Sequence, residues 1–473
     1  MKTKIIATIG PASSDFQTLE KLMETGVNVF RINFSHGTQQ EHKRTIESID
    51  ALNLKHGKHA AILADLQGPK IRVGQLNVDS LSLEKGQVIS LECGVTEQTS
   101  DAIPVDYSGF SGDVQKGEQI QIDDGRLVLE VLSVEKSRIV KAKVIYGGAL
   151  HSKKGINLPN TRINLPALTD KDLNDLDFIM KQGVQWIALS FVRSASDIIE
   201  LRHHIARTNS KKPPLIVAKI EKPEAMNDLD NIVNTADAIM IARGDLGIEI
   251  PLEEVPLIQK RIVKQCMTKS KPAIIATQMM EGMIKNFSPT RAEVNDVANS
   301  VLDGADALML SGETSVGHNP VRVVQVMKKI IQQVEQQEDI YYKHFPPQVD
   351  NHERFISNSV IYNACLMAQQ VEAKVIVGMT HSGYSAFEIA GQRPKADIYI
   401  FTNNHSLLSK LSLVWGIKGF FYDKFISTDH TIEDILMLLK KKMITQKGDL
   451  VINIASTPLE KYGKTNMMKL SVV

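Results

Sequence analysis

"VNVFRINFSHG", residues 27–37, reads as a buried β-strand whose tail turns polar. Val27 and Val29 are followed, at the same two-residue step, by Arg31, Asn33 and Ser35, while Phe30, Ile32 and Phe34 hold the other parity. Successive strand side chains point to opposite faces. One face therefore stays apolar to the end. The other becomes cationic, amide-bearing and hydroxylic where the strand finishes.

Similar apolar runs recur along the chain, each followed by a longer amphipathic stretch: "KIIATIG" (4–10), "AAILADL" (60–66), "WIALSFV" (186–192), "PLIVAKI" (214–220), "ADAIMIA" (236–242), "PAIIATQ" (272–278) and "ADALMLS" (305–311). Continuous apolar strands alternating with helices signify a parallel sheet covered on both faces. With residues 27–34 the runs number eight, which predicts a (β/α)8 TIM barrel. A doubly wound open sheet is the competing fold, and periodicity alone does not separate the two.

The gap between the third and fourth runs is too long for a barrel helix. After Pro69 it changes to alternating, β-branched stretches with turn signals such as Asp124-Gly125. This predicts an inserted all-β lid domain, a small β-barrel, over 69–166, with the catalytic barrel over 1–68 and 167–347. After Pro346-Pro347 the βα pattern restarts, predicting a C-terminal α/β domain with parallel strands over 348–473 for regulation and oligomerisation.

Bulk properties exclude several function classes. The 473 residues carry 55 Lys+Arg against 54 Asp+Glu, a net charge of +1, so no global field favours nucleic acid or an anionic membrane. Cys93, Cys266 and Cys365 lack metal-site spacing and read as buried free thiols. No apolar stretch approaches the ~20 residues of a membrane helix. The apolar run before Gly10-Pro11 is too short for a signal-peptide core, and a cytoplasmic location is expected.

In a barrel of this kind chemistry collects at the C-terminal strand ends. Those ends carry Arg31, Asn33 and Ser35, then Asp65, then Lys219 and Glu221, then Arg243, Gly244 and Asp245, then Thr277, then "SGET". Singly, each has a bland reading: a solvated pair, a tight turn, a helix cap. Together they are a nearly charge-balanced set on neighbouring strands, and burying it without function would cost several kcal/mol per ion. Glu221 and Asp245 are hard oxygen ligands suited to Mg2+. Arg31 and Lys219 suit a phosphoryl group. The amides of Gly244 and Asp245, with the Thr277 hydroxyl, suit a small carboxylate.

The stretches "RINFSHG", "DLQGPKIR", "AKIEKPE", "MIARGDLGIEIP", "ATQMMEGM", "PTRAEVNDVANSVLDGADALMLSGETSVG" and "GKTNMMKLSVV" resemble pyruvate kinases, and the resemblance runs the length of the chain. It implies Mg2+-dependent phosphoryl transfer from phosphoenolpyruvate to ADP, giving pyruvate and ATP, the final step of glycolysis. Glu221 and Asp245 would bind the substrate's metal, and a second Mg2+ would arrive with ADP. Gly244, Asp245 and Thr277 would hold the substrate carboxylate, and Arg31 would grip the phosphoryl group. Lys219 would stabilise charge on the phosphoryl in flight and on the enolate, and Thr277 would lie on the proton path to carbon. Arg72 and Lys154, with Asn33 and His36, would contact the nucleotide, and the lid would close to exclude water. The resemblance also implies a homotetramer.

Three departures stand out. Family members often ligate K+ through Asn33, Ser35, Asp65 and the Leu66 carbonyl; those members carry Glu where this chain has Lys70. A fixed ammonium there could replace the potassium charge, so K+ is expected to be dispensable; the alternative is that Lys70 is a surface residue at a hinge. Ser194 stands where Lys is common. Tyr384 replaces a commonly basic residue in "THSGYSAFEIAG" (380–391), where Thr380, Ser382, Gly383 and Ser385 could cradle an effector phosphate, with Lys461, Thr465 and Asn466 nearby. Ser385 with Glu388 also reads as a plain capping box. Two other functions compete: a Mg2+-dependent pyruvate-aldolase-type lyase, which needs neither lid nor Lys219, and a non-catalytic metabolite sensor, against which the intact Lys219, Glu221, Asp245 and Thr277 argue.

Overall fold

The computed structural model describes every residue except 136–137, 160, 162, 164, 350–351, 425–426 and 459–462, with backbone alone at 352–353. The apolar runs form strands β1 (Lys4–Ile9), β2 (Val29–Asn33), β3 (Ala61–Asp65), β4 (Trp186–Leu189), β5 (Leu215–Ile220), β6 (Ala238–Ala242), β7 (Ala273–Ala276) and β8 (Ala307–Leu310). Each pairs in parallel with the next, and β8 returns to β1. The closed cylinder excludes the open-sheet alternative.

The strands are apolar on both parities because each face has its own core. Ile6, Val29, Leu63, Val217, Met240 and Ile274 fill the cylinder. Ile5, Phe30, Ile62, Ile216 and Ile239 face outward into the helical layer. Helices Gln39–His56, Asp170–Lys181 and Arg291–Asp303 each start at a threonine capping box, a local signal contributing about 1 kcal/mol apiece. Inner parity carries upward from Val29 to Arg31 and Asn33, from Leu63 to Asp65, and from Val217 to Lys219. The register that pairs Asn33 with Asp65 and Arg31 with Thr8 sets these groups at one mouth.

The other mouth is plugged. Leu413, from the C-terminal domain, joins the cylinder's inner core. The Trp186 indole donates to the Lys410 carbonyl at 3.2 Å. Arg393 forks onto Asp306 at 3.2 and 2.8 Å, both residues buried. Only the upper mouth is left for chemistry.

Between β3 and β4 the chain builds a β-rich domain on a separate core running from Ile71 to Leu158. Its main sheet has six strands, and the segment 71–75 bonds to both edges: Gly74 N–H to the Pro104 carbonyl, and Val73 N–H to the Lys154 carbonyl, each at 2.8 Å. That segment closes the sheet upon itself. One helical turn, Phe110–Asp113, interrupts the β structure.

In the C-terminal domain, strands Ile417–Phe421, Asp397–Thr402, Val375–Met379 and Leu450–Ala455 are parallel, as expected from the βα pattern. The edge strand Met467–Val472 is antiparallel, contrary to expectation. The short connection 456–466 has no room for a crossover helix, so the strand must turn back. Among the described residues no helix is long and apolar enough to cross a membrane.

Candidate active site

Lys219 is the hub of the open mouth. Its Nζ lies 3.0 Å from Glu221 Oε1 and 3.2 Å from Asp65 Oδ1, and it donates to Ser190 Oγ at 2.7 Å. Arg31 closes the other side of Asp65, with Nε 2.7 Å from Oδ2, and Nη1 donates to Thr8 Oγ1 at 3.0 Å. The Asp65 and Glu221 side chains are each 1% exposed. Burial alone would pull the Lys219 pKa down; Asp65 and Glu221 overrule it and hold it above the ordinary lysine value. Burial would likewise raise Asp65, but Lys219 and Arg31 keep it below the usual carboxylate value. Both stay charged because each is the other's counter-ion.

Glu221 differs. Burial and the nearby Asp245 carboxylate push its pKa up, against the pull of Lys219. Its Oε2 accepts the Phe191 N–H at 2.7 Å, and Phe191 adopts φ 55° to present that amide. Gly68, at φ +68°, makes this possible: a Cβ there would come within 2.9 Å of the Phe191 ring and the Ser190 side chain. Asp245 sits near the start of helix Arg243–Glu249, directly after β6, and Lys70 reaches to 3.4 Å from its Oδ1. Two neighbouring acids, Glu221 buried and Asp245 partly open, fit a divalent cation with hard oxygen donors.

Beside them the Gly244 N–H donates to Thr277 Oγ1 at 2.7 Å, and that hydroxyl donates to the Ala276 carbonyl at 2.6 Å. Gly244 and Thr277 thus meet as expected, but as one hydrogen-bonded unit whose amide a carboxylate would have to take over. Thr277 and Gln278 both have positive φ, 67° and 54°. Arg243 pins this strained turn: it donates to the Thr277 carbonyl at 2.8 Å while forking onto Asp296 at 2.7 and 2.8 Å.

A family model described as "Pyruvate kinase, barrel domain" matches residues 1–324, and "Pyruvate kinase, alpha/beta domain" matches 358–471. The chain belongs to the pyruvate kinase family. The pyruvate kinase of Corynebacterium glutamicum is 39% identical over 472 residues, covering 100% of this chain and 98% of that protein. That of Mycobacterium tuberculosis is 39% identical over 465 residues, covering 98% and 97%. A crystal structure of a pyruvate kinase from Cryptosporidium parvum superposes with TM-score 0.91 at 33% identity, covering 100% of this chain and 96% of that one. The chain is a phosphotransferase of the pyruvate kinase type, and the lyase and sensor alternatives are set aside.

The remaining pyruvate kinase positions fall into place unevenly. Asn33 Oδ1 accepts the Ser35 N–H at 3.1 Å, and the Leu66 carbonyl accepts the Ser190 hydroxyl at 2.8 Å. His36 lies where burial, Arg72, Arg31 and Lys70 all press its pKa down, so these cations converge. Lys154, by contrast, pairs with Asp123 of its own domain at 2.8 Å. Lys70 reaches toward Asp245, with its side chain 24% exposed at the joint between the inserted domain and the barrel. Ser194 is the N-cap of helix Ala195–Arg207, a structural post. In the C-terminal domain Thr380, Ser382 and Ser385 line a cavity of about 120 Å3 with Arg354, Asn403 and Lys464. The capping box does not form: Gly383 is the N-cap, Ser385 Oγ is buried without a partner, and Glu388 accepts from Ser270 at 3.0 Å. Lys461 lies outside the described residues.

Sequence reasoning missed Ser190, Phe191 and Asp296. Ser190 was readable, because it continues the inner parity of Trp186 and Ala188. The other two depend on backbone conformation and on a distant helix.

The depressed Asp65 pKa sets a pH signature. Its ion pairs add stability above the unfolded carboxylate value and lose it as pH falls through the lower folded value. Asp65→Asn is expected to cost about 3–5 kcal/mol at pH 7 by stranding buried cations. The gap to wild type should narrow below about pH 4 in denaturant titrations; a gap independent of pH would refute the pairing.

Proposed function

We propose that this enzyme transfers the phosphoryl group of phosphoenolpyruvate to ADP at the open barrel mouth, with Lys219 as the fixed charge around which transfer is organised. The carrying observation is Lys219 held between Asp65 and Glu221 while Arg31 and Asp245 flank it. Phosphoryl transfer asks for positioning and charge stabilisation more than covalent chemistry. Arg31 and Lys219 would orient the phosphoryl oxygens. With its pKa raised, Lys219 stays an ammonium as the enolate forms, so it stabilises the oxygen and does not donate the proton. Thr277, with Gly244 and Asp245, would seat the carboxylate and lie on the proton path to carbon, fed by water because threonine alone is a weak acid. Glu221 and Asp245 would hold Mg2+, which neutralises charge on the phosphoryl and enolate oxygens. ADP would enter as its own Mg2+ complex at the cleft that Arg72, Lys154, Asn33 and His36 border, and lid closure would exclude water.

Potassium is dispensable in this reading. The acids Asp65, Glu221 and Asp245 are matched by Arg31, Lys219 and Lys70, so no monovalent cation is needed for charge balance. The unpartnered Ser385 hydroxyl in a polar cavity supports a phosphorylated effector in the C-terminal domain. Exposed Val472 on the edge strand, and Ile356, Leu257 and Phe287 elsewhere, support a homotetramer joined through the C-terminal and barrel domains.

Lys219→Met is expected to lower ADP-dependent pyruvate release roughly a thousandfold in the folded protein, and to lower the thermal midpoint because Asp65 and Glu221 lose a buried counter-ion; full turnover would contradict the assignment. In potassium-free buffer the wild type should run at near its full rate, and Lys70→Glu should become K+-activated. Strong K+ activation of the wild type would end the charge-replacement reading. Sugar phosphates and nucleoside monophosphates added to the same assay test the effector cavity, with any response expected to vanish in Ser385→Ala.

A further inference from the structure

A second cluster lies just outside the catalytic groups, across the joint between the inserted domain and the barrel. Asn157 ends the inserted domain's last strand, Ile156–Asn157, and its Nδ2 donates to Glu249 Oε1 at 2.9 Å. From the barrel side Lys222 Nζ donates to the same oxygen at 2.6 Å. Asn157, Glu249 and Lys222 are all buried. Nearby, Arg193 donates to the Ile163 and Leu165 carbonyls at 2.9 and 2.7 Å, holding the chain as it returns to the barrel.

The chain positions of these groups carry the argument. Lys222 directly follows the metal acid Glu221. Glu249 ends the helix on which Asp245 sits, four residues earlier, so the two acids share one helix face. The inserted domain touches that face twice, through Lys70 at Asp245 and through Asn157 at Glu249. Moving Asn157 therefore pulls on the helix bearing one metal acid, and through Lys222 on the residue beside the other.

The joint is also incompletely satisfied. Glu249 Oε2 and Asn157 Oδ1 are buried with no hydrogen-bond partner. A permanent joint would pair or remove such acceptors, since an orphan buried acceptor loses its hydration uncompensated. Opening the joint returns both to water, which makes separation cheap despite the charged contact.

We propose that Glu249 is a positioning residue for phosphoryl transfer: through Asn157 and Lys222 it latches the inserted domain at the angle that serves the nucleotide, and ties that angle to Glu221 and Asp245. This rests on the reading that ADP lies between the inserted domain and the barrel.

The test compares Asn157→Leu and Glu249→Gln with wild type in full-length enzyme, by steady-state kinetics, thermal unfolding and hydrogen exchange. Asn157→Leu keeps volume and removes the donor. It is expected to raise KM for ADP about tenfold, to leave KM for phosphoenolpyruvate within about twofold, and to speed exchange at 67–71 and 222–226. Its thermal midpoint should stay within about 3 °C of wild type. Glu249→Gln keeps an acceptor for Asn157 and loses the counter-charge of Lys222, so ADP affinity should be retained while kcat falls. Equal rises in both KM values with a lowered midpoint would show a merely structural joint and overturn the proposal, as would unchanged exchange at 67–71 and 222–226. Faster exchange with unchanged ADP kinetics would uphold the latch and overturn the nucleotide placement.

Discussion

The ammonium of Lys219 between the carboxylates of Asp65 and Glu221 is the contact on which the site depends. Three ions with so little solvent would be unaffordable singly; bracketed by Arg31 they stabilise one another. That mutual dependence fixes where β2, β3 and β5 must end relative to each other. A one-residue slip in any of them would send its charged group outward into the apolar helical layer.

The rest of the fold serves this constraint. The C-terminal domain stoppers the opposite mouth with Leu413 and locks on through Arg393 and Asp306. Water and ligand therefore meet the cylinder's interior from one direction. The inserted domain is joined at Gly68, where the backbone passes close against Ser190 and Phe191, the two residues that hold Lys219 and Glu221. The joint to the inserted domain and the charge centre are thus neighbours in contact.

Much of this was legible in the chain. The two-residue step of Arg31 and Asn33, and of Lys219 and Glu221, reveals inner-face groups because parity survives folding. What parity cannot reveal is partner choice. Lys154 pairs with Asp123 of its own domain, a contact that its place in the sequence does not announce. Ser385 and Glu388 looked like a capping box, yet Gly383 at φ 88° caps the helix two residues earlier and Glu388 turns to Ser270. A small β-barrel was expected in the inserted domain, but its closure by 71–75 rests on isolated backbone bonds that no pattern marks, and the positive φ of Phe191 and Thr277 has no glycine to announce it.

The claim that Glu221 and Asp245 share one cation is the most directly exposed to measurement. Titrating the protein with Mn2+ and following its paramagnetic resonance would count tight sites in wild type and in Asp245→Asn. One tight site in the wild type, lost in the variant while thermal unfolding is retained, is the predicted result. Equal binding by both proteins would contradict the account at its centre.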